Sequence, residues 1–169
     1  MLLKRITALL LGTLLTVVLA EFLLSRSSLI ESPPGQHRRS ETRAFEQTPG
    51  FEGHDKLGNA IMINSQGLRA DEVPLAKPEG VFRILVLGDS VTFGENVTAA
   101  QSFSKQTEAI LNQARPGKRV EVLNAGVRGY NTYQELILLK EVGLAYHPDL
   151  VVVCYVVNDA DPFSNQAGL

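Results

Sequence analysis

Three short clusters carry the residue types that do chemistry: Gly88-Asp89-Ser90, Asn124-Ala125-Gly126 and Asn158-Asp159. Each follows an apolar run, in "FRILVLGDS", "RVEVLNAG" and "DLVVVCYVVND", so each is expected at the end of a β-strand. A serine raised on a tight strand-to-helix turn can attack a carbonyl carbon, with backbone N–H groups facing the oxyanion that develops. Gly88 lets such a turn tighten, and Gly126 lets a second N–H approach a substrate with no side chain in the way. Asn158 offers a side-chain amide as a third donor. A rival chemistry is metal-assisted phosphoryl transfer, with Asp89 and Asp159 holding magnesium between neighbouring strand ends. A phosphate-binding loop is disfavoured. It needs Gly-x-Gly-x-x-Gly or a Walker lysine, whereas Asp89 follows Gly88 and Glu95 follows Gly94, and both acids repel phosphate.

The elements that must position these clusters begin at Gly80. "VFRILVLGD", "RVEVLNAG" and "DLVVVCYVVND" predict strands, and "TAAQSFSKQTEAILNQARPG" and "TYQELILLKEVGLAYHP" predict the helices between them. Thr98 with Gln101 and Thr132 with Glu135 have capping-box spacing, while Pro116-Gly117 and His147-Pro148 are stops. Leu136, Leu139, Gly143 and Tyr146 recur at three- and four-residue intervals and predict the buried face of the second helix. Strands alternating with helices predict an α/β domain on a parallel sheet with right-handed crossovers, and ligands in such sheets bind outside the carboxyl ends of the strands. Leu150 to Val157 is apolar at odd and even positions alike, so both faces of the third strand want cover. Three strands alone leave a hydrophobic edge, so residues 80–169 are expected to be the front part of a larger domain.

Residues 1–26 have a different character. Lys4 and Arg5 precede a stretch from Ile6 to Leu24 interrupted only by Glu21. As a helix it would reach about 28 Å, close to the thickness of a bilayer core. A retained signal anchor through residues 6–24 is expected, with cleavage after the small residues near Ala20 as the alternative. Basic residues stay on the cytoplasmic side, so the domain would lie outside the cytoplasm. Residues 27–55, broken by Pro33, Pro34, Gly35 and Pro49, read as a flexible spacer, and the apolar run Ala60 to Ile63 within 56–79 as a small strand or hairpin at the domain edge. A net charge of −2 leaves no basic footprint for nucleic acid. The single cysteine, Cys154, excludes an intramolecular disulfide and is expected as a small buried hydrophobe.

"VLGDSVTFG", "LNAGVRGYNT" and "YVVND", in that order, resemble the first three blocks of the SGNH or GDSL hydrolases, serine esterases and acyl hydrolases built on a flavodoxin-like sheet. The resemblance implies a three-layer domain from residue 80 onward, of which these residues hold the first three strands and two crossover helices. It implies Ser90 as nucleophile, with an oxyanion hole made by the Ser90 and Gly126 amides and the Asn158 side chain, and Asp89 bracing the turn. No cofactor or metal is then needed. The substrate would be an acyl or acetyl ester, and export points to an envelope glycan or lipid. The leader and the "NSQGLR" stretch look like those of membrane-tethered bacterial members. Two departures stand out. Val156 replaces the glycine of the family's Gly-x-Asn-Asp block, and nothing matches the Asp-x-x-His block that carries the base and its orienting acid. His37 and His54 fall in the spacer region, and His147 is expected on the rim opposite Ser90, so none of the three is expected to act as the base. A domain that keeps the pocket without the base would be a binding module rather than an enzyme.

Overall fold

A computed structural model describes residues 2–25 and 35–160. The chain divides into two compact units, residues 1–33 and 34–169. In the first, α1 (Leu2–Ser25) leaves Leu9, Leu14, Leu15 and Leu23 exposed. The hydroxyls of Thr13 and Thr16 donate to the carbonyls of Leu9 and Gly12 one turn earlier, which hides their polarity. Among the described residues no helix is long and apolar enough to cross a membrane, so the span expected over residues 6–24 gains no support from the fold.

The second unit is built on three parallel strands, β5 (Val81–Gly88), β6 (Arg119–Gly126) and β7 (Leu150–Cys154), in the order β6-β5-β7. The first of the three to be made is therefore central, and the chain reverses direction across it. Such a reversal opens a crevice at the carboxyl end of the central strand. Alternate side chains of β5 face opposite layers. Ile84 and Val86 join Val120 and Val122 under α3 (Phe103–Ala114), which adds Leu111, while Leu85 and Leu87 join Leu123, Ala125 and Tyr146 under α4 (Thr132–Glu141), which adds Leu138. This is the three-layer α/β arrangement of a flavodoxin-like fold. At its base, Arg83 of β5 lies opposite Glu121 of β6, and the fully buried guanidinium donates to Glu121 Oε2 through Nε at 2.9 Å and Nη2 at 2.7 Å.

Several boundaries differ from those expected. The Thr98/Gln101 box exists but caps only one 3-10 turn, Ala99–Gln101; α3 itself is capped by Ser102. At α4 the box is Asn131 with Gln134, one residue earlier than Thr132 with Glu135, because Asn131 is the last extended residue and its side chain accepts from Gln134 N–H. That shift turns Gln134 and Glu135 inward with Leu138 and leaves Leu136 exposed. Gln134 is satisfied there by donating to the Arg43 carbonyl at 2.7 Å, and the helix breaks at Val142 before the 3-10 turn Gly143–Tyr146. The third strand stops at Cys154 rather than Val157, and the chain tightens into a 3-10 turn, Val157–Ala160. Val153 and Tyr155 are mostly exposed, and Cys154 is only partly buried.

The expectation of a flexible spacer fails over residues 37–54. β1 (His37–Ser40) pairs antiparallel with β2 (Ala44–Gln47), and β3 (Glu52–His54) with β4 (Ala60–Met62). Phe45 is the reason the first hairpin is ordered: it is buried edge-on against Tyr130, whose hydroxyl donates to the Phe45 carbonyl at 2.7 Å. Residues 26–34 lie outside the described residues.

Replacing Arg83 with alanine leaves Glu121 with a buried charge, and removing one partner of such a pair costs about 3–5 kcal/mol. We expect that loss in urea denaturation of the R83A variant, and expect R83M combined with E121L to recover most of it.

Candidate active site

The carboxyl ends of the strands are level, since Gly88 pairs in register with Gly126 on one side and with Cys154 on the other. Gly88 starts a bend that no other residue fits: a Cβ there would lie 2.0 Å from Thr92 Oγ1. The bend feeds a single helical turn, α2 (Ser90–Phe93), that ends at Gly94 in the left-handed region, φ 83°. Asp89, almost fully buried, caps this turn, its Oδ1 accepting from Val91 N–H at 2.9 Å. Ser90 is therefore the first residue of the turn. Its side chain is half-buried, its Oγ lies 3.3 Å from Asp89 Oδ2, and its backbone N–H has no partner among the described residues.

Two residues secure the turn from outside it. Asn124 donates to the Thr92 carbonyl at 2.7 Å and accepts from Gly126 N–H at 2.9 Å, bridging α2 to the end of β6. Arg69, buried, donates to the carbonyls of Phe93, Gly94 and Val97 at 2.6–2.8 Å and lies 4.5 Å from the centre of the Phe93 ring. Phe93 itself is buried against Ile61 and Ile63. The segment before the sheet thus supports the serine turn from below.

Gly126 requires a correction. Its N–H is already engaged by Asn124, and a Cβ on it would strike Phe93 N at 2.2 Å, so the absent side chain makes room for α2 rather than for a substrate. Of the amides in this loop that have no partner among the described residues, that of Gly129 sits on the more exposed residue. That residue is exposed, has φ 77°, and its N–H donates to nothing among the described residues. The spacing Gly126-x-x-Gly129 ahead of the Asn131 cap was the available signal, because a left-handed residue is needed between strand end and helix start.

On the third strand, Asn158 falls in the Val157–Ala160 turn, and its side chain lies outside the described residues. The next residue is well held. Asp159 is buried, its Oδ2 accepts from Val156 N–H, and its Oδ1 is 3.4 Å from Thr132 Oγ1. Glu135 of α4 packs against the same turn. Burial first, then the charge and hydrogen bonding of Asp159, then the charge of Asp89, push its carboxyl up to about 8. Among the described residues no three His, Cys, Asp or Glu side chains are arranged to hold a metal ion.

The histidines stand apart from carboxylates. His37 packs edge-on to Phe45, and burial followed by the charge of Arg128 lowers its pKa. His54 ends β3 in solvent, and His147 adopts φ 50° just before β7, at the amino end of the sheet. None of the three bonds to Ser90 or to an acid among the described residues.

Residues 86–168 match the model of the GDSL-like Lipase/Acylhydrolase family. The GDSL-like segment takes in Ser90, Gly126, Gly129 and Asn158 and begins inside β5, so Arg69 and both hairpins precede it. Hydrolase chemistry in general is what that likeness supports. No curated protein matches the chain.

If Gly126 serves to seat α2, G126A must push the turn off the sheet. We expect a loss of about 1–3 kcal/mol, the usual cost of overpacking, measured by urea denaturation, whereas G129A should change stability by less.

Proposed function

We propose that Ser90 is the nucleophile of an ester hydrolase acting on acyl or acetyl esters through an acyl-enzyme. The observation that carries this reading is the state of Ser90: a partly buried hydroxyl at the carboxyl end of the central strand, on a turn braced by Asp89, with its own amide unpaired among the described residues. In this reading Ser90 Oγ attacks the ester carbonyl, and the new oxyanion is held by the amides of Ser90 and Gly129 and by the side chain of Asn158. Gly129 takes the place first expected of Gly126. As the Oγ–C bond forms, a histidine base from outside these residues accepts the hydroxyl proton. The same imidazole then protonates the departing alcohol, and water releases the acid by the reverse route.

The exposed apolar flank of α1 behind Lys4 and Arg5 supports an exported domain, retained by that helix or released after cleavage. An envelope glycan or lipid ester is the substrate class that fits such a compartment.

The full-length protein should react with a fluorophosphonate probe at Ser90. Labelling is expected to vanish in S90A, to fall about a hundredfold or more in N158A, and to be indifferent to EDTA. Labelling that survives S90A, or turnover abolished by EDTA, would instead favour the metal reading at Asp89 and Asp159. Peptide mapping of the labelled protein checks the site.

A further inference from the structure

The Gly129 amide belongs to a turn whose two ends are fixed by the main chain. Val127 N–H donates to the Gly88 carbonyl at 3.0 Å, and Tyr130 N–H returns to the Val127 carbonyl at 3.1 Å. Gly129 occupies the third position, where a type II turn needs a positive φ, and its φ is 77°. The peptide between Arg128 and Gly129 carries the amide. Rotating that one peptide converts a type II turn to type I and takes the N–H to the other side, and glycine at the third position permits both states. The closing bond is common to the two types, so the choice between them falls to side chains.

Three side chains in and just after this turn reach across to the first hairpin. The Tyr130 hydroxyl donates to the Phe45 carbonyl at 2.7 Å, Gln134 Nε2 to the Arg43 carbonyl at 2.7 Å, and Arg128 Nη1 to Gln36 Oε1, just before β1, at 3.3 Å. Between the two accepting carbonyls Ala44 is held at φ 63°, a left-handed conformation that a residue with a side chain adopts only when its surroundings impose it. Phe45 then closes on the turn itself. Its ring centre stands 5.2 Å from that of Tyr130, and its Cζ lies 3.7 Å from the place a Cβ on Gly129 would take. Tyr130 is fully buried, so solvent does not replace its bond when that bond is lost.

We propose that Tyr130 is a positioning residue for the ester hydrolysis: its hydroxyl, by holding the Phe45 carbonyl, keeps the Val127–Tyr130 turn in the type II state and so keeps the Gly129 amide aimed at the oxyanion. Tyr130 acts through Gly129 and touches no substrate. The catalytic consequence rests on the ester-hydrolase reading; the choice of turn state does not. The first hairpin thereby becomes part of the scaffold of the site, although it precedes the GDSL-like segment.

The test compares Y130F with the parent in the full-length protein. Fluorophosphonate labelling of Ser90 should slow about tenfold at saturating probe. The probe concentration giving half the maximal rate should stay the same, because the amide engages the oxygen only as charge develops on it. N112A, which loses the bonds of Asn112 to Val120 at the amino end of β6, should lower the urea midpoint yet label at the parent rate. In isotope-labelled protein the Gly129 amide resonance should be sharp in the parent and broadened or split by exchange in Y130F, with the Val127 amide quiet in both. Labelling of Y130F at the parent rate, or a Gly129 amide as sharp in Y130F as in the parent, overturns the proposal. Should Y130F fail to fold, F45L, which withdraws the ring from Gly129 and Tyr130, takes its place and is judged by the same two readings. Should Ser90 never react in the parent, the hydrolase reading fails while the Gly129 resonance still judges the turn.

Discussion

The site depends on a contact between main chains. α2 rests on the end of β6 so closely that a methyl group on Gly126 would overlap the peptide nitrogen of Phe93. Asn124 completes the joint, one carboxamide serving the Thr92 carbonyl on one element and the Gly126 amide on the other. Because no side chain intervenes, the position of Ser90 relative to the strand end is set by backbone geometry and not by rotamer choice. On the proposed reading of Ser90 as nucleophile, a hydroxyl held in this way needs little rearrangement when an ester arrives, and that kind of pre-organisation is the largest contribution a scaffold makes to a reaction.

The layering of the domain could be read from periodicity, because β5 and β6 are apolar on both faces and the helices carry caps and stops of the ordinary kind. Ser90 and Asp89 were legible for the same reason: their types and their place after an apolar run leave few other structures. What the sequence concealed depends on contacts between distant residues. Nothing local distinguishes Gly126, which makes room for α2, from Gly129, whose amide has no partner among the described residues, until the Asn124 side chain is seen to claim the first of them. The hairpin at residues 37–47 looked like spacer because its few apolar residues are scattered, and its order comes from Phe45 and Arg43 meeting Tyr130 and Gln134 nearly ninety positions later. Glu135 was misread for want of one residue of register at the start of α4, which decides whether a glutamate caps a helix or is buried beneath it.

The two outer strands of the sheet are finished differently. Along β6, Asn112 both donates to the Val120 carbonyl and accepts from its amide, and Glu108 accepts from the Val122 amide. Side chains of α3 there imitate a neighbouring strand, which closes that edge to further pairing. β7 has no such imitation among the described residues and leaves Leu150 and Val153 substantially exposed. The polarity of the sheet is thus built into one helix, whose side chains serve the layer beneath as well as its own solubility.

Arg69 shows how far the functional unit reaches. Its guanidinium is the common donor for three carbonyls that close the loop behind Ser90, yet it lies well before the first strand of the sheet. Grafting or trimming this fold at the first residue of the sheet would therefore remove a keystone without touching any strand, and the loop behind the serine would have to find three new donors from solvent. Where such a domain begins is decided by that guanidinium and not by the first β-strand.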